Sequence, residues 1–132
     1  MTIKPLLIVL GEPHSVFSET LFKLYKSKIY KKLKRPIILI GSKNLLIEQM
    51  LKLNFKFKIN EIKYKYIDEH PINNKSINII NIDLSYKKVF DKISNRSKNY
   101  IKKCLEKKLT LLKKNKAFAL INGPISKKHF LN

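Results

Sequence analysis

The chain has 132 residues, of which 44% are hydrophobic, and it contains only three glycines and five prolines. That length suffices for one folded domain, and the composition excludes long disordered tracts. The one cysteine, Cys104, excludes an internal disulfide. The six apolar residues before Gly11 are too few for a signal peptide or a membrane span. We therefore expect a soluble chain of the cytoplasm without a membrane partner.

The charge is strongly positive, because 29 lysine and arginine residues face nine acidic residues and give a formal net charge of +20. Clustered cations can bind nucleic acid by displacing counterions from its phosphates. However, only Arg35 and Arg96 are arginines, and the guanidinium group reads bases and phosphates best. The lysines are spread along the chain. We expect a solvated basic surface and no specific nucleic acid partner, with a small basic α/β nucleic-acid-binding module as the alternative.

Short apolar runs alternate with stretches of helical periodicity along the chain. The apolar runs predict strands at residues 5–10, 37–41, 55–59, 77–82 and 117–121. The helical periodicity predicts helices at residues 17–33, 42–50, 84–93, 100–112 and 125–131. Strands that alternate with helices are typical of an α/β fold with a mostly parallel sheet and flanking helices.

Several elements carry a more specific prediction. Ser42 is a good N-cap for the helix predicted at 42–50. Apolar and polar residues alternate at 55–59, which predicts an edge or half-buried strand. The run at 117–121 predicts a last strand that is buried. Cys104 lies on an apolar helical stripe that includes Leu109, so we expect a buried, inert thiol.

Two loops follow strands at the carboxyl edge of the predicted sheet, where parallel sheets bind ligands. They are Gly11–Ser15 after the first strand and Asn122–Lys127 after the last. Glu12 is predicted to accept a hydrogen bond from a substrate or to orient a partner loop. Lys127 is predicted to hold a phosphate or a carboxylate. The alternative is that both loops are ordinary turns, in which a serine caps each following helix.

The histidines give little indication of a metal site. His14, His70 and His129 lie far apart in the sequence, and no pair has the close spacing of metal ligands. His14 belongs to the first loop, whereas His70 and His129 are expected to be exposed. Nucleotide-binding glycine motifs and a Ser-His-Asp arrangement are also missing from the sequence.

The same two loops resemble a known family. Gly11-Glu12-Pro13 after a strand, with Glu19 in the first turns of the next helix, resembles the motif Gly-Glu-Pro-Ala-Gly-Ile-Gly-Pro-Glu of the 4-hydroxythreonine-4-phosphate dehydrogenases. The segment 119–127 is similar to that family's Ala-Leu-Ile-Thr-Gly-Pro-Val-x-Lys, and Lys34-Arg35-Pro36 leads into a matching second strand. The order and separation of these motifs also suit the family.

The resemblance implies the fold of isocitrate and isopropylmalate dehydrogenases, here incomplete, and a cytoplasmic homodimer. It implies NAD-dependent oxidation, with decarboxylation, of the phosphorylated substrate 4-phosphohydroxy-L-threonine in pyridoxal phosphate (vitamin B6) biosynthesis. A divalent metal (zinc, magnesium or cobalt) held by histidines would polarise the oxidised oxygen. Glu12 and Lys127 would line the active cleft as substrate-binding residues.

The chain departs from the family pattern in three ways. His14, Ser15, Val16 and Phe17 replace the small Ala-Gly-Ile-Gly, Ser18 replaces a proline, and Asn122 replaces a threonine. Phe17 would prevent close approach of a ligand to the backbone.

The family's Gly-His-Thr-Glu motif and its metal-binding histidines lie downstream of the matched part and are not in this chain. The pattern also ends within a helix that begins at Ile125. We therefore expect residues 1–132 to form a single amino-terminal portion of a larger enzyme, truncated at its carboxyl end. Such a portion would have no catalytic residues of its own and would be inactive alone. A non-catalytic remnant is a further alternative.

Overall fold

A parallel sheet of five strands organises the computed structural model, which describes residues 3–68 and 72–131. In chain order the strands are β1 (Leu6–Val9), β2 (Ile37–Gly41), β3 (Ile59–Glu61), β4 (Ile77–Asn81) and β5 (Ala119–Asn122). Their order in the sheet is β3-β4-β2-β1-β5, and every neighbouring pair is parallel. The predicted α/β class with a mostly parallel sheet is confirmed.

Helices cover both faces of this sheet. They are α1 (Phe17–Lys26), α2 (Lys28–Lys31), α3 (Lys43–Lys52), α4 (Lys98–Lys113) and α5 (Lys127–Leu131), with 3-10 turns at Tyr64–Tyr66 and Asn95–Ser97. Alternate residues of the central strands point to opposite faces. Val9 and Ile40 pack with Ile101 of α4, whereas Ile8 and Leu39 pack with α1 and α3. Because both faces are covered, β1 and β2 read as continuous apolar runs.

The helix predicted at 17–33 is interrupted at Ser27, which has extended backbone angles (φ −74°, ψ 155°). The Ser27 hydroxyl donates to the carbonyl of Leu24 over 2.7 Å and accepts from the N–H of Tyr30 over 3.3 Å. This break turns Tyr30 into the core and leaves Ile29 71% exposed. Ile29, which continues the apolar spacing of the predicted helix, therefore lies on the surface.

Other predicted boundaries also change. Phe55 and Phe57 do not belong to β3; they pack on Phe22 of α1, with ring centroids 5.4 and 6.1 Å from its centroid. The helix predicted at 84–93 is absent, and that stretch is irregular. Near the end of α4, Leu111 is buried, whereas Leu109 of the predicted stripe is 49% exposed.

The last strand is an edge strand rather than the buried strand that the sequence predicts. Within the described residues β5 pairs with β1 alone, and its burial falls along its length until Ile121 is 47% exposed. β5 has a neighbouring strand on one side, whereas β1 and β2 have one on each side. Its residues are therefore more exposed, although all three strands are similarly apolar.

Helices α3 and α4 end in the same way, at an asparagine with left-handed backbone. Asn54 and Asn115 have φ values of 60° and 56°. After α4, the N–H of Asn115 donates to Leu112 and the N–H of Lys116 donates to Leu111, each over 3.0 Å. This is the Schellman pattern, which satisfies the last carbonyl groups of a helix.

A buried asparagine joins the entry points of three strands. Asn78 of β4 is 1% exposed, and its amide nitrogen donates to the carbonyl groups of Ile37 and Asn73. Its side-chain oxygen accepts from the amide of Asn60 in β3 over 3.1 Å. Asn74 completes the connection by accepting from the N–H of Ile37 over 3.0 Å. Asn78, which interrupts the apolar run of β4, thus has a structural role.

Candidate functional site

The two loops singled out from the sequence lie together at the carboxyl edge of the sheet. The N–H of Glu12 donates to the carbonyl of Pro124 over 2.7 Å, and the N–H of Gly123 donates to the carbonyl of Val9 over 2.7 Å. Gly11 has φ +74°, and a Cβ on it would lie 2.4 Å from the Pro124 oxygen. A Cβ on Gly123 would equally lie 2.4 Å from a backbone oxygen. Glycine at both positions is what allows the loops to meet.

Glu12 is buried within the first loop, with 4% of its surface exposed. Its Oε1 accepts from the N–H of His14 over 3.3 Å, and its carbonyl accepts from the N–H of Ser15 over 3.2 Å. The side chain therefore bonds within its own loop, whereas the backbone N–H of Glu12 is the group that reaches the second loop. The side chain lines a small cleft with room for about one water molecule.

A residue that the sequence did not single out, Gln49, supports this loop. Gln49 of α3 is buried, and its Nε2 donates to the carbonyl of Pro13 over 2.9 Å. Ser18 lines the same cleft, and its buried hydroxyl has no hydrogen-bond partner among the described residues. Both lie in helices at positions where a polar side chain could equally have been exposed, so their spacing gave no indication of their burial.

Tyr100 of α4 also lines the cleft, and its hydroxyl accepts from the N–H of Ser42. Burial raises the pKa of Tyr100 well above its usual value. Ser42 caps α3 as predicted, because its hydroxyl accepts from the N–H of Leu45 over 3.2 Å. Tyr100 lies in the helix predicted at 100–112, but the sequence could not show that its hydroxyl has a backbone partner.

Lys127 is the first residue of α5 and is exposed. The preceding Ser126 places its hydroxyl 2.8 Å from Nδ1 of His129, one turn along α5. In the first loop, the Ser15 hydroxyl accepts from the N–H of Phe17 over 3.3 Å, but the N-cap of α1 is Val16, which makes no side-chain capping bond. The structure therefore places Glu12 inside the joined loops and Lys127 on the surface beside them.

The two described histidines, His14 and His129, have separate hydrogen-bond partners. Nδ1 of His14 accepts from the N–H of Asp91 over 3.3 Å, which ties the first loop to the irregular segment after β4. His129 is half-buried rather than exposed, and His70 lies outside the described residues. Across 3–68 and 72–131, no three His, Cys, Asp or Glu side chains form a group that could hold a metal ion.

Cys104 is fully buried against the sheet, and burial raises its pKa to about 12. The prediction of a buried thiol is confirmed. Among the described residues no donor set suits the divalent metal implied by the family resemblance, and the cleft beside Glu12 is too small to hold NAD. Among the helices of the described ranges, none has the length and apolar character needed to cross a lipid bilayer.

The fold and the joined loops define an α/β protein of the kind that binds its ligand at the carboxyl edge of a parallel sheet. The model of the family "Pyridoxal phosphate biosynthetic protein PdxA" matches residues 32–132. The chain belongs to this family. The match covers the second loop, whereas Gly11–Ser15 precedes it.

Solved structures show the same fold. The chain is similar to a 4-hydroxythreonine-4-phosphate dehydrogenase from Burkholderia phymatum, with a TM-score of 0.81, 17% identity, and coverage of 98% of this chain and 38% of that one. It is also similar to the enzyme of that name from Klebsiella pneumoniae, with a TM-score of 0.77, 17% identity, and coverage of 96% and 38%. The chain thus spans well under half the length of these proteins. No curated protein matches its sequence.

Proposed function

We propose that the chain is the amino-terminal part of a 4-hydroxythreonine-4-phosphate dehydrogenase. The reaction would be the NAD-dependent oxidation and decarboxylation of 4-phosphohydroxy-L-threonine in pyridoxal phosphate synthesis, carried out by a cytoplasmic homodimer. The observation that carries this proposal is family membership over residues 32–132 together with a fold in which both motif loops meet at one sheet edge. The divalent metal and most contacts to NAD would come from residues that this chain does not contain.

Glu12 and Lys127 have different roles in this proposal. Glu12 is buried and hydrogen-bonded within its own loop, so it would shape the wall of the cleft rather than exchange protons with the substrate. Lys127 is exposed on α5 next to the joined loops, and its ammonium group would hold a phosphate or carboxylate of the substrate. Neither role includes a chemical step.

The first test is the coding sequence downstream of residue 132 in the source. We expect it to continue into the Gly-His-Thr-Glu motif and the three metal-binding histidines. A stop codon directly after residue 132 would overturn the enzyme proposal and favour a non-catalytic remnant.

The second test uses the continued protein and follows NADH formation with 4-phosphohydroxy-L-threonine. Lys127→Gln is expected to raise KM roughly ten- to a hundredfold, the usual effect of losing one hydrogen bond to a charged group. Lys128→Gln, next to it on α5, is the matched control and should change KM less than about twofold. Equal effects of the two substitutions would remove Lys127 from the site.

The proposal includes no specific nucleic acid partner. Arg35 is already engaged within the chain: its Nη1 donates to the carbonyl of Lys4 over 2.6 Å, and its guanidinium lies 3.7 Å from the centroid of the Phe118 ring. We expect binding to RNA to disappear uniformly at moderate salt. Retention that depends on RNA sequence or structure would favour the nucleic-acid-binding alternative.

A further inference from the structure

A second cavity, of about 490 Å³, lies between His14 of the first loop and the segment 85–97. We call it the basic pocket. Its volume is within the range of roughly 300–1,000 Å³ that small-molecule sites occupy. The Asp91-to-His14 hydrogen bond fixes one of its walls, and the turn Asn95–Ser97, which leads into α4, forms another.

The lining of the basic pocket carries three cations, Lys87, Lys92 and Arg96, and one carboxylate, Asp91. The negative charge of Asp91 is partly offset by neighbouring groups. Its Oδ1 accepts from the N–H of Lys92 over 2.8 Å and lies 3.9 Å from the ammonium of Lys88. The pocket therefore presents an excess of positive charge to a bound molecule.

Arg96 distinguishes this pocket from the lysine-covered surface elsewhere. The chain has only two arginines, and Arg35 is occupied by Lys4 and Phe118. Arg96 is exposed at the rim of the basic pocket. Its planar guanidinium can bind two oxygens of one phosphate at once, which a lysine ammonium cannot do.

Neutral donors complete the lining. The hydroxyl of Ser97, the residue before α4, makes no capping hydrogen bond to that helix. The hydroxyl of Ser94 accepts from the N–H of Arg96 over 3.3 Å and so keeps its own proton for another acceptor. His14 uses Nδ1 as an acceptor, so Nε2 is the ring nitrogen that can donate to another group.

We propose that the basic pocket binds the phosphate group of a small phosphorylated molecule, with Arg96 as its bidentate ligand. Lys87 and Lys92 supply additional charge, and the hydroxyls of Ser94 and Ser97 donate to the remaining phosphate oxygens. Phosphate fits this lining better than a carboxylate does, because it has more oxygens and a greater negative charge for the three cations and several donors. The proposal does not depend on the dehydrogenase assignment.

The test is calorimetric titration of the 132-residue chain with inorganic phosphate at fixed ionic strength. Arg96→Gln is expected to weaken phosphate binding about tenfold or more. Arg96→Lys is expected to weaken it about threefold, because lysine keeps the positive charge but cannot make the bidentate contact of the guanidinium. Lys103→Gln, an exposed lysine on α4 that does not line the pocket, removes the same charge and should change the affinity less than about twofold.

Two results would overturn the proposal: no phosphate binding to the unsubstituted chain, or equal weakening by Arg96→Gln and Lys103→Gln. Circular dichroism of each variant checks that it is folded. If Arg96→Gln does not fold, Lys87→Gln takes its place with an expected weakening of about threefold, judged against the same Lys103→Gln control. Because only inorganic phosphate is used, the outcome is independent of any test of dehydrogenase activity.

Discussion

The hydroxyl of Tyr100 lies 2.8 Å from the backbone nitrogen of Ser42 and accepts its hydrogen bond across 58 residues of sequence. The same hydroxyl would lie 2.9 Å from a Cβ on Gly41. The side chain of Leu10 would lie closer still, with its Cδ1 2.4 Å from that Cβ, so glycine at 41 leaves space for both Leu10 and Tyr100. The Tyr100 contact connects α4 to the end of β2 beside the first loop.

Tyr100→Phe is expected to lower the free energy of unfolding by about 1–3 kcal/mol, because it leaves the buried N–H of Ser42 without its acceptor. Tyr30→Phe is the matched control. The Tyr30 hydroxyl is buried without a partner in the described ranges, so its removal should be neutral or stabilise by up to about 1 kcal/mol. Urea denaturation of both variants measures the difference. Equal losses would show that the Tyr100 hydrogen bond contributes nothing particular.

Gly11→Ala is expected to destabilise the chain by about 1–3 kcal/mol, because an alanine there combines positive φ with a clash against Pro124. Val16→Ala in the following turn is the control; Val16 is 68% exposed, and its truncation should cost less than about 0.5 kcal/mol. Thermal or urea unfolding measures both. An unchanged Gly11→Ala variant would mean that the two loops can separate without cost.

Asn115→Gly is expected to stabilise the chain by about 0.5–1 kcal/mol, because glycine adopts the left-handed conformation at the end of α4 with less strain. Asn115→Ala should destabilise by about 1 kcal/mol for the opposite reason. Urea midpoints of the two variants give the comparison. A glycine variant less stable than the alanine variant would rule out backbone strain as the main effect at this position.

The thiol of Cys104 is expected to react with a disulfide reagent on the order of a thousandfold more slowly in the folded chain than in denaturant. Both its burial and its pKa of about 12 suppress the thiolate at neutral pH. Release of the coloured thiol product at pH 8, with and without guanidinium, measures the ratio. Rapid reaction of the folded chain would contradict this burial.

Alkaline pH should destabilise the chain through its buried tyrosines. Burial raises the pKa of Tyr25, Tyr30 and Tyr100, so each holds its proton more tightly when folded than when unfolded. Their contribution is complete below about pH 10 and is lost as pH rises, at up to about 1.4 kcal/mol per pH unit for each group.

Phenolate absorbance during an alkaline titration tests this dependence. Ionisation of these tyrosines should coincide with loss of the far-ultraviolet circular dichroism, and Tyr25→Phe should make the decline in stability less steep. Complete ionisation near pH 10 without loss of structure would contradict the burial of these hydroxyls.

The class of fold and the positions of the central strands could be predicted from the sequence, because burial on two faces leaves a continuous apolar run. The same reasoning failed for β5. Its apolar residues suit a buried strand, but cover depends on how many neighbours a strand has, and that number is a property of the whole sheet.

The break between α1 and α2 was missed for a different reason. Ser27 is compatible with a helix, and the apolar spacing continues past it, so periodicity alone favoured one long element. What ends the helix is a local exchange of hydrogen bonds by the serine hydroxyl. The segment 84–93 also has helical spacing but forms an irregular wall of the basic pocket.

The candidate site was predicted in part. Glycine and proline marked both loops, and parallel topology brought them to one edge. The supporting contacts of Gln49 and Tyr100 were not predictable, because each depends on which backbone group lies opposite a side chain in the folded chain.

The asparagine network around Asn78 has a consequence for competing folds. Apolar side chains alone would tolerate β4 sliding along β2, since one isoleucine can replace another in the core. A two-residue shift keeps the facing pattern but separates the amide of Asn78 from the carbonyls of Ile37 and Asn73. Each misaligned pairing then contains a buried amide with no partner, so the network selects one alignment among several of similar apolar burial.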